Sequence, residues 1–416
     1  MKTTAVRLYG KDDLRLETFE LPPIKGDEIL AKIVSDSICM SSYKAAKQGA
    51  DHKRVPNDVA DNPVILGHEF CGELVEVGAK WQALFKPGDK FSIQPAINEP
   101  GNVYAAPGYS FPYIGGNATY IVIPAIVMEK GCLLPFDGKA FYHGSLAEPM
   151  SCIVGGFRVN YHTSAGSYVH EMGIKQGGKM ALLAGAGPMG LGAVDYAIHS
   201  ERRPSLLAVT DIDEARLMRA KALYPPEEAK KHGVELLYLK APTTDRLKEL
   251  SPGGYDDVFV YAPVAAVVEQ GSAILAYDGC LNFFAGPTDP AFSAKLNFYD
   301  VHYNAAHIAG NSGGNTDDMM ESLALMAAGV IDPSAMVTHI GGLDAVIGAT
   351  LNLPSIPGGK KLIYNHISMP LTAIADFAAL GEDDPFFAEL ARLTAQNDGL
   401  WNADCERFLL ENGRAL

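Results

Sequence analysis

No stretch of this chain approaches eighteen consecutive uncharged apolar residues, so no transmembrane helix is expected, and Met1-Lys2-Thr3-Thr4-Ala5 opens a strand-like run with no signal-peptide core. Positive charge is also scarce. Thirty-four Lys and Arg stand against 49 Asp and Glu, a net charge of −15 that argues against a nucleic-acid partner and against docking on anionic membrane. The six cysteines, Cys39, Cys71, Cys132, Cys152, Cys280 and Cys405, include no C-x-x-C pair, which argues against a disulfide framework and leaves a cytoplasmic protein as the expectation. Internal repeats and low-complexity segments are absent as well. What remains is 416 residues of ordinary soluble composition, 48% apolar and 20% charged, enough for two domains with sizeable cores.

The chain becomes specific between Lys179 and Asp211. Met180-Ala181-Leu182-Leu183-Ala184 is an apolar run of strand length that leads into Gly185-Ala186-Gly187-Pro188-Met189-Gly190, a G-x-G-x-x-G turn. Ala193, Val194, Ala197 and Ile198 then recur at helical spacing, and a second apolar run, Leu206-Leu207-Ala208-Val209, ends at Thr210-Asp211. In such a βαβ unit Gly185 makes the tight turn, Gly187 lets backbone approach a pyrophosphate and Gly190 lets helix and strand pack closely. Pro188 and Met189 open the helix whose N-terminus faces the anion. Asp211 accepts hydrogen bonds from an adenosine ribose, which makes NAD(H) the expected cofactor, with NADP(H) as the alternative. A glycine turn alone is common, but strand, turn, helix, strand and acid in register point to a dinucleotide site.

From Lys2 to Val127 short strand runs (Thr4–Leu8, Leu14–Phe19, Ile29–Val34, Gly72–Val77, Ala118–Ile123) alternate with Pro, Gly, Asn and Asp, which predicts a β-rich domain. Beyond Lys179, strand candidates at Leu236–Leu239, Asp257–Tyr261 and Leu281–Ala285 alternate with helical runs, the pattern of a parallel sheet covered on both faces. Asp317–Ala328 predicts a helix, Lys361–Tyr364 a returning strand, and Pro370–Leu380, Pro385–Leu393 and Asp404–Leu410 a helical tail.

Three pieces of the first domain carry chemistry: Cys39-Met40-Ser41-Ser42, Gly67-His68-Glu69 and Glu148-Pro149. Singly, Cys39 reads as a core thiol, His68 as a hydrogen-bonded loop histidine and Glu148 as a solvated acid at a helix start. Together, and upstream of a dinucleotide turn, they resemble the zinc-dependent medium-chain alcohol and polyol dehydrogenases. That family carries a Cys-x-Ser/Thr, a Gly-His-Glu and a Glu-Pro in this order. The resemblance implies a GroES-like β-rich catalytic domain over 1–154, completed by 315–416, and a Rossmann domain with a doubly wound parallel sheet over 155–314, with an active-site cleft between them. It further implies that Cys39, His68 and Glu148 hold a catalytic zinc, with Glu69 behind them or exchanging as a ligand, and that Ser41 is the hydroxyl that relays a proton. Three protein ligands leave a fourth position for a substrate oxygen, as a catalytic zinc needs.

Two departures from the family bear on the expected chemistry. Ile93 to Tyr120 contains no cysteine, so the structural zinc that many members hold on a four-cysteine lobe is not expected, leaving one zinc per chain. Lys44 stands where many members end the relay in histidine; it either relays a proton or holds an anion, and the anion is favoured. Around it Lys47, His52, Lys53 and Arg54 form a basic patch broken only by Asp51, in an otherwise acidic chain. Lys44, Lys47, Lys53 and Arg54 are therefore the expected grip on a substrate phosphate, the alternative being a solvated loop.

Blocks such as Gly67–Gly72, Pro107-Gly108-Tyr109-Ser110-Phe111-Pro112, Asn282–Pro287 and Gly310–Asp318 resemble the sugar-phosphate reductases of the family. The implied reaction is reversible hydride transfer between a nicotinamide cofactor and the ketone of a ketose phosphate, L-sorbose 1-phosphate giving D-glucitol 6-phosphate, by a homo-oligomer, dimer or tetramer. Two alternatives stay open: a polyol dehydrogenase acting on an unphosphorylated sugar alcohol, and a zinc-free dinucleotide-binding protein with a regulatory or structural role.

Overall fold

The computed structural model describes all 416 residues, which divide into two compact units. The first comprises Met1–Pro149, Asn315–Ala328 and Val337–Leu416, and the second Met150–Gly314 and Gly329–Met336. The division between Pro149 and Met150 falls inside one helix, Phe141–Val159, so the chain passes between units without a linker there. Pro149 lies within that helix and removes one N–H directly after Glu148.

In the first unit Lys2–Gly10 pairs antiparallel with Asp13–Glu20 and, through Arg7 and Leu8, with Val64–Ile65. The second and larger sheet is organised around Ile29–Ile38, which is almost wholly buried. Phe70–Val77 pairs on one side of it and Lys360–Tyr364 on the other, and Tyr120–Ile123 pairs with its first half. Lys90–Ile93 and Leu133–Pro135 continue the sheet beyond Phe70–Val77, while Val337–Gly342 and Thr372–Ala373 continue it beyond Lys360–Tyr364. The end of the chain thus completes the sheet begun at its start. Ile29, Ile33, Phe70, Phe91 and Ile121 fill one core.

Some elements differ from the sequence expectation for reasons of context. Met40–Gln48 is a helix with Cys39 as its N-cap, so Lys44 and Lys47 sit one turn apart on a rigid element instead of in a loop. Pro370–Leu380 is helical only from Ile374 onward: Thr372 and Ala373 pair with Ile340 and His339, after which a 3₁₀ turn at Ile374–Asp376 runs into the α-turn Phe377–Leu380. The tail beyond it folds as helices Pro385–Ala395 and Ala403–Asn412, which bury Leu390, Trp401 and Leu409 against Tyr364 and Leu146. Glu406, buried in this tail, accepts the backbone N–H groups of Phe141 and Tyr142 and so caps the N-terminus of the helix that carries Glu148.

The second unit is a six-stranded parallel sheet in the order Glu235–Lys240, Leu206–Asp211, Lys179–Leu183, Tyr255–Val260, Leu275–Phe283, His307–Ala309. Counted within this sheet the order is the 3-2-1-4-5-6 of a doubly wound dinucleotide fold. Helix Pro188–His199 follows the first strand, with Gly187 as N-cap and Pro188 at its first position. No helix in the chain is long and apolar enough to cross a membrane.

Candidate active site

The strand Ile29–Ile38 ends in Ser35-Asp36-Ser37, all buried, and delivers Cys39 to the start of the next helix. Gly67-His68-Glu69 precedes the neighbouring strand, Phe70–Val77, so two fragments distant in sequence meet at one corner of the sheet. The donor atoms of Cys39, His68 and Glu69 all lie within 4.8 Å of one another. Ligand bonds of about 2.0–2.3 Å around a tetrahedral zinc set donor atoms roughly 3–4 Å apart, so this trio needs only small side-chain adjustment to hold the ion.

Its electrostatics suit that role. Burial, reinforced by the Arg54 and Lys360 charges, depresses His68 to about 3 against the opposing pull of Glu69, so its imidazole is neutral and offers a lone pair at physiological pH. Burial, with the Glu69 charge adding to it, pushes the Cys39 thiol up to about 12, which is the behaviour of a sulfur that ionises only when a cation arrives. Sulfur, imidazole and carboxylate form a donor set that fits zinc.

Glu69 has a partner that sequence reading did not supply. Lys360 Nζ lies 2.5 and 2.6 Å from its two oxygens, in a pair that is almost fully buried. Burial is the largest influence on Glu69 and works to raise its pKa, but Lys360, together with His68 and Ser37, outweighs it and holds the pKa below the ordinary carboxylate value. Asp36 stands against the same pair, and burial together with the Glu69 charge raises it well above the carboxylate range. Glu148, also buried, acts through its charge on Cys39, Tyr109 and Lys360. The group of donor atoms that come together is Cys39, His68 and Glu69, and Glu148 is not among them.

Tyr109, in the Pro107–Pro112 block, is fully buried, and its hydroxyl lies 2.8 Å from His68 Nδ1. Ser42 Oγ is 3.4 Å from the same nitrogen, and Ser41 Oγ is 3.2 Å from Cys39 Sγ. Part of the basic patch gathers around this tyrosine. His52 stacks on its ring at 5.8 Å between centroids, and the Arg54 guanidinium lies 5.3 Å from the ring centre. Burial, then Arg54, Lys53 and Lys44 in that order, depress His52 to about 4, so those three cations share one neighbourhood. Lys53 also lies over the Tyr104 ring at 4.9 Å. Lys47 is drawn off: its amino group pairs with Asp12 at 2.6 Å.

In the second unit the glycine turn has the geometry its spacing predicts. A Cβ on Gly190 would meet the Gly185 carbonyl oxygen at 1.9 Å, so helix and strand are in backbone contact, whereas a Cβ on Gly187 would point into open space. The Asp211 carboxylate is fixed by the amides of Ala186 at 3.3 Å and Asp213 at 3.0 Å. Arg216, the first cation after it, pairs with Asp213 at 3.6 Å.

Lys360 and Tyr109 are the residues sequence reading left without a role. Lys360 carried one faint signal, a charge opening the apolar strand Leu362-Ile363-Tyr364; its partner is 291 positions away.

Comparison with known proteins agrees with this arrangement. Residues 25–131 match the alcohol dehydrogenase GroES-like domain. The chain is 55% identical over 416 residues to a mannitol-1-phosphate 5-dehydrogenase of Aliivibrio fischeri, covering 99% of this chain and 98% of that protein. It is 51% identical over 415 residues to an L-sorbose 1-phosphate reductase of Klebsiella pneumoniae, covering 100% and 98%. Among solved structures, a zinc-binding dehydrogenase of Sinorhizobium meliloti bound to NADP superposes with a TM-score of 0.69 at 22% identity, over 88% of this chain and 99% of that one. The chain belongs to the zinc-dependent medium-chain alcohol and polyol dehydrogenases, NAD(P)-dependent oxidoreductases with a GroES-like catalytic domain and a Rossmann domain.

Proposed function

We propose that this enzyme interconverts a ketose phosphate and its polyol phosphate, with L-sorbose 1-phosphate and D-glucitol 6-phosphate as the pair, NADH as the preferred reductant and one zinc per chain. The observation that carries the reading is the cluster of Arg54, Lys53 and Lys44 around His52, one tyrosine ring away from His68. A phosphate dianion is the ligand such a cluster selects in a chain of net charge −15.

The closeness of cluster and donor trio also favours one position for the phosphate. In a 1-phosphorylated 2-ketose the phosphate is on the carbon next to the carbonyl. In mannitol 1-phosphate oxidised at C5 it is at the far end of the chain. A cation separated from the candidate ligand histidine by a single aromatic ring suits the first.

The chain's residues divide the work as follows. Cys39, His68 and Glu148, with Glu69 in reserve, would hold the zinc, which when bound would supply a Lewis acid for a carbonyl. Arg54, Lys53 and Lys44 bind and orient the phosphate. Ser41 is the hydroxyl placed to return a proton to the forming alcohol. Gly185, Gly187 and Gly190 admit the pyrophosphate, Pro188 and Met189 start the helix that faces it, and Asp211 binds the ribose. Its carboxylate repels a 2′-phosphate while Arg216 is engaged with Asp213.

The test is a screen of L-sorbose 1-phosphate, fructose 6-phosphate, L-sorbose and fructose with NADH and NADPH, alongside metal analysis. The expected result is highest catalytic efficiency with L-sorbose 1-phosphate and NADH, and one zinc per chain. Preference for fructose 6-phosphate would transfer the assignment to the mannitol 1-phosphate chemistry, and preference for a free ketose would end the sugar-phosphate reading.

A further inference from the structure

His52 is the one member of the basic patch without an assigned part, and its backbone contact decides what it can offer. The peptide N–H of Arg54 donates to His52 Nδ1 at 3.3 Å, so that nitrogen carries a lone pair and not a proton. Burial and the Arg54, Lys53 and Lys44 charges depress the ring to about 4, so it is neutral at physiological pH and its one proton sits on Nε2. No protein group takes that N–H. The one acid of the patch, Asp51, is drawn off to Lys11 at 2.5 Å.

The ring is also held in place. It lies nearly parallel to the Tyr109 ring, 15° between planes, and the Arg54 guanidinium leans on the same ring. Ser110 Oγ donates to the Arg54 carbonyl at 2.7 Å while accepting the Ala106 N–H at 3.0 Å, so both polar backbone groups of Arg54 are bound by side chains. The turn that carries Tyr109 and Ser110 is pressed on the metal corner: Gly108 has φ +80°, and a Cβ there would meet the Gly67 carbonyl oxygen at 2.0 Å, directly against the peptide that precedes His68.

We propose that His52 is a specificity-determining residue, a neutral donor of fixed tautomer whose Nε2–H joins Arg54, Lys53 and Lys44 in holding the substrate's phosphate as the dianion. Every side chain in that set donates and none accepts. A singly protonated phosphate would bring a P–OH in need of an acceptor, whereas the dianion offers three oxygens that only accept. A neutral N–H also adds a hydrogen bond without the repulsion that a further cation would meet beside Arg54, Lys53 and Lys44.

This inference rests on the substrate being a phosphate ester, and the experiment separates the two ideas. kcat/KM with NADH is measured for L-sorbose 1-phosphate and for L-sorbose from pH 5.5 to 8, with wild type, His52→Gln and His52→Leu. Long-range proton–nitrogen spectra of the full chain labelled at histidine, with His52→Gln identifying the His52 signals, report the tautomer. They should show Nδ1 bare and Nε2 protonated at pH 7. In wild type the ratio of the two efficiencies, ester over free ketose, should rise as pH passes about 6, where a phosphate monoester loses its second proton. His52→Leu should lower that ratio about ten- to a hundredfold, the usual cost of a hydrogen bond to a charged group, and His52→Gln, which keeps a neutral N–H donor, should lie between it and wild type. A ratio that falls between pH 6 and 8, an imidazolium or an Nδ1–H tautomer at pH 7, an unchanged ratio in His52→Leu, or equal losses in the two variants would each overturn the assignment while leaving the preference for the ester intact. If His52→Leu does not fold, as read by melting temperature, the wild-type pH course and the tautomer decide. A wild-type enzyme that prefers the free ketose overturns the phosphate reading, and this one with it.

Discussion

Two buried histidines, one in each unit, have their pKa values driven in opposite directions. His68 in the first unit is held neutral, depressed to about 3. His162 in the second, also buried, has its pKa raised above the ordinary value. Burial works against the charged form in both, and the difference lies in which carboxylates are still available. The acid beside His68 is Glu69, whose two oxygens are taken by Lys360, and Arg54 and His52 add to the repulsion. His162 faces Asp257 through Nε2 at 3.2 Å and Asp278 through Nδ1, whose backbone oxygen is at 2.9 Å and side-chain oxygen at 3.4 Å. A neutral imidazole can ligate a metal, whereas one that faces two carboxylates ties their strands together. The two units use one residue type for opposite purposes by deciding how far the neighbouring acid is committed.

The most drastic way to break the comparison is to remove the ligand. Cys39→Ser and His68→Ala should each lose zinc and reduce activity to background while the fold persists, as read by metal analysis, NADH oxidation and circular dichroism. Full activity after complete chelation would contradict the role given to His68.

Freeing the acid instead should make His68 resemble His162. Lys360→Met leaves Glu69 buried without its cation, so that it either stays charged and unpaired or takes up a proton, a change that costs about 3–5 kcal/mol of stability. Denaturant unfolding measures that loss, and an NMR titration should show His68 shifting upward towards its ordinary pKa. Adding Glu69→Gln should recover part of the stability, because the uncompensated charge is gone. A Lys360→Met variant as stable as wild type would show that Glu69 is already satisfied by other groups.

The cations near His68 should matter less for stability than for substrate. Arg54→Ala or Lys44→Ala removes a charge-assisted contact worth roughly 1.5–3 kcal/mol, about ten- to a hundredfold in kcat/KM for the phosphorylated ketose and close to nothing for the free ketose. Added salt should weaken use of the phosphate ester alone. Lys47→Ala should be near neutral, since that side chain is engaged with Asp12. Equal losses on both substrates would make the patch structural.

The legibility of the two units differs for a related reason. The nucleotide site is contiguous: a strand, Gly185 to Gly190, a helix and Asp211 lie within about thirty residues, so spacing alone announces it. The candidate metal corner draws on Cys39 at a helix start and on His68 and Glu69 before a different strand, and only the order of weak motifs exposed it. Lys360 was invisible because its meaning comes from strand pairing, Lys360–Tyr364 against Ile29–Ile38, across most of the chain. Tyr109 stood in a conspicuous Gly-Tyr-Ser block, but nothing in sequence shows that Gly108 is folded onto Gly67. The helix Met40–Gln48 was missed because its basic residues carry little apolar periodicity, and its start is fixed by packing behind Cys39.

The smallest effect expected is on the His162 side. Because its folded pKa is raised, the folded state binds more protons than the unfolded state at any pH between the ordinary histidine value and the folded one. Stability from this site is therefore fully present below about pH 6.5 and is lost as pH rises through the folded pKa. The groups facing the ring are Asp257 and Asp278, and Asp278 is shared with His307 at 2.8 Å. Asp257 is further held by Asn160 at 2.6 Å and by the Lys175 amide at 2.8 Å, so the carboxylate stays in place when the histidine is changed. His162→Gln should accordingly cost about 1.5 kcal/mol near pH 6, the low end for a hydrogen bond to a charged group, and progressively less as pH rises. Melting curves of the two proteins from pH 5.5 to 9 should converge at the alkaline end. A gap that instead widens with pH would mean that His162 is neutral in the fold and that the contrast with His68 does not hold.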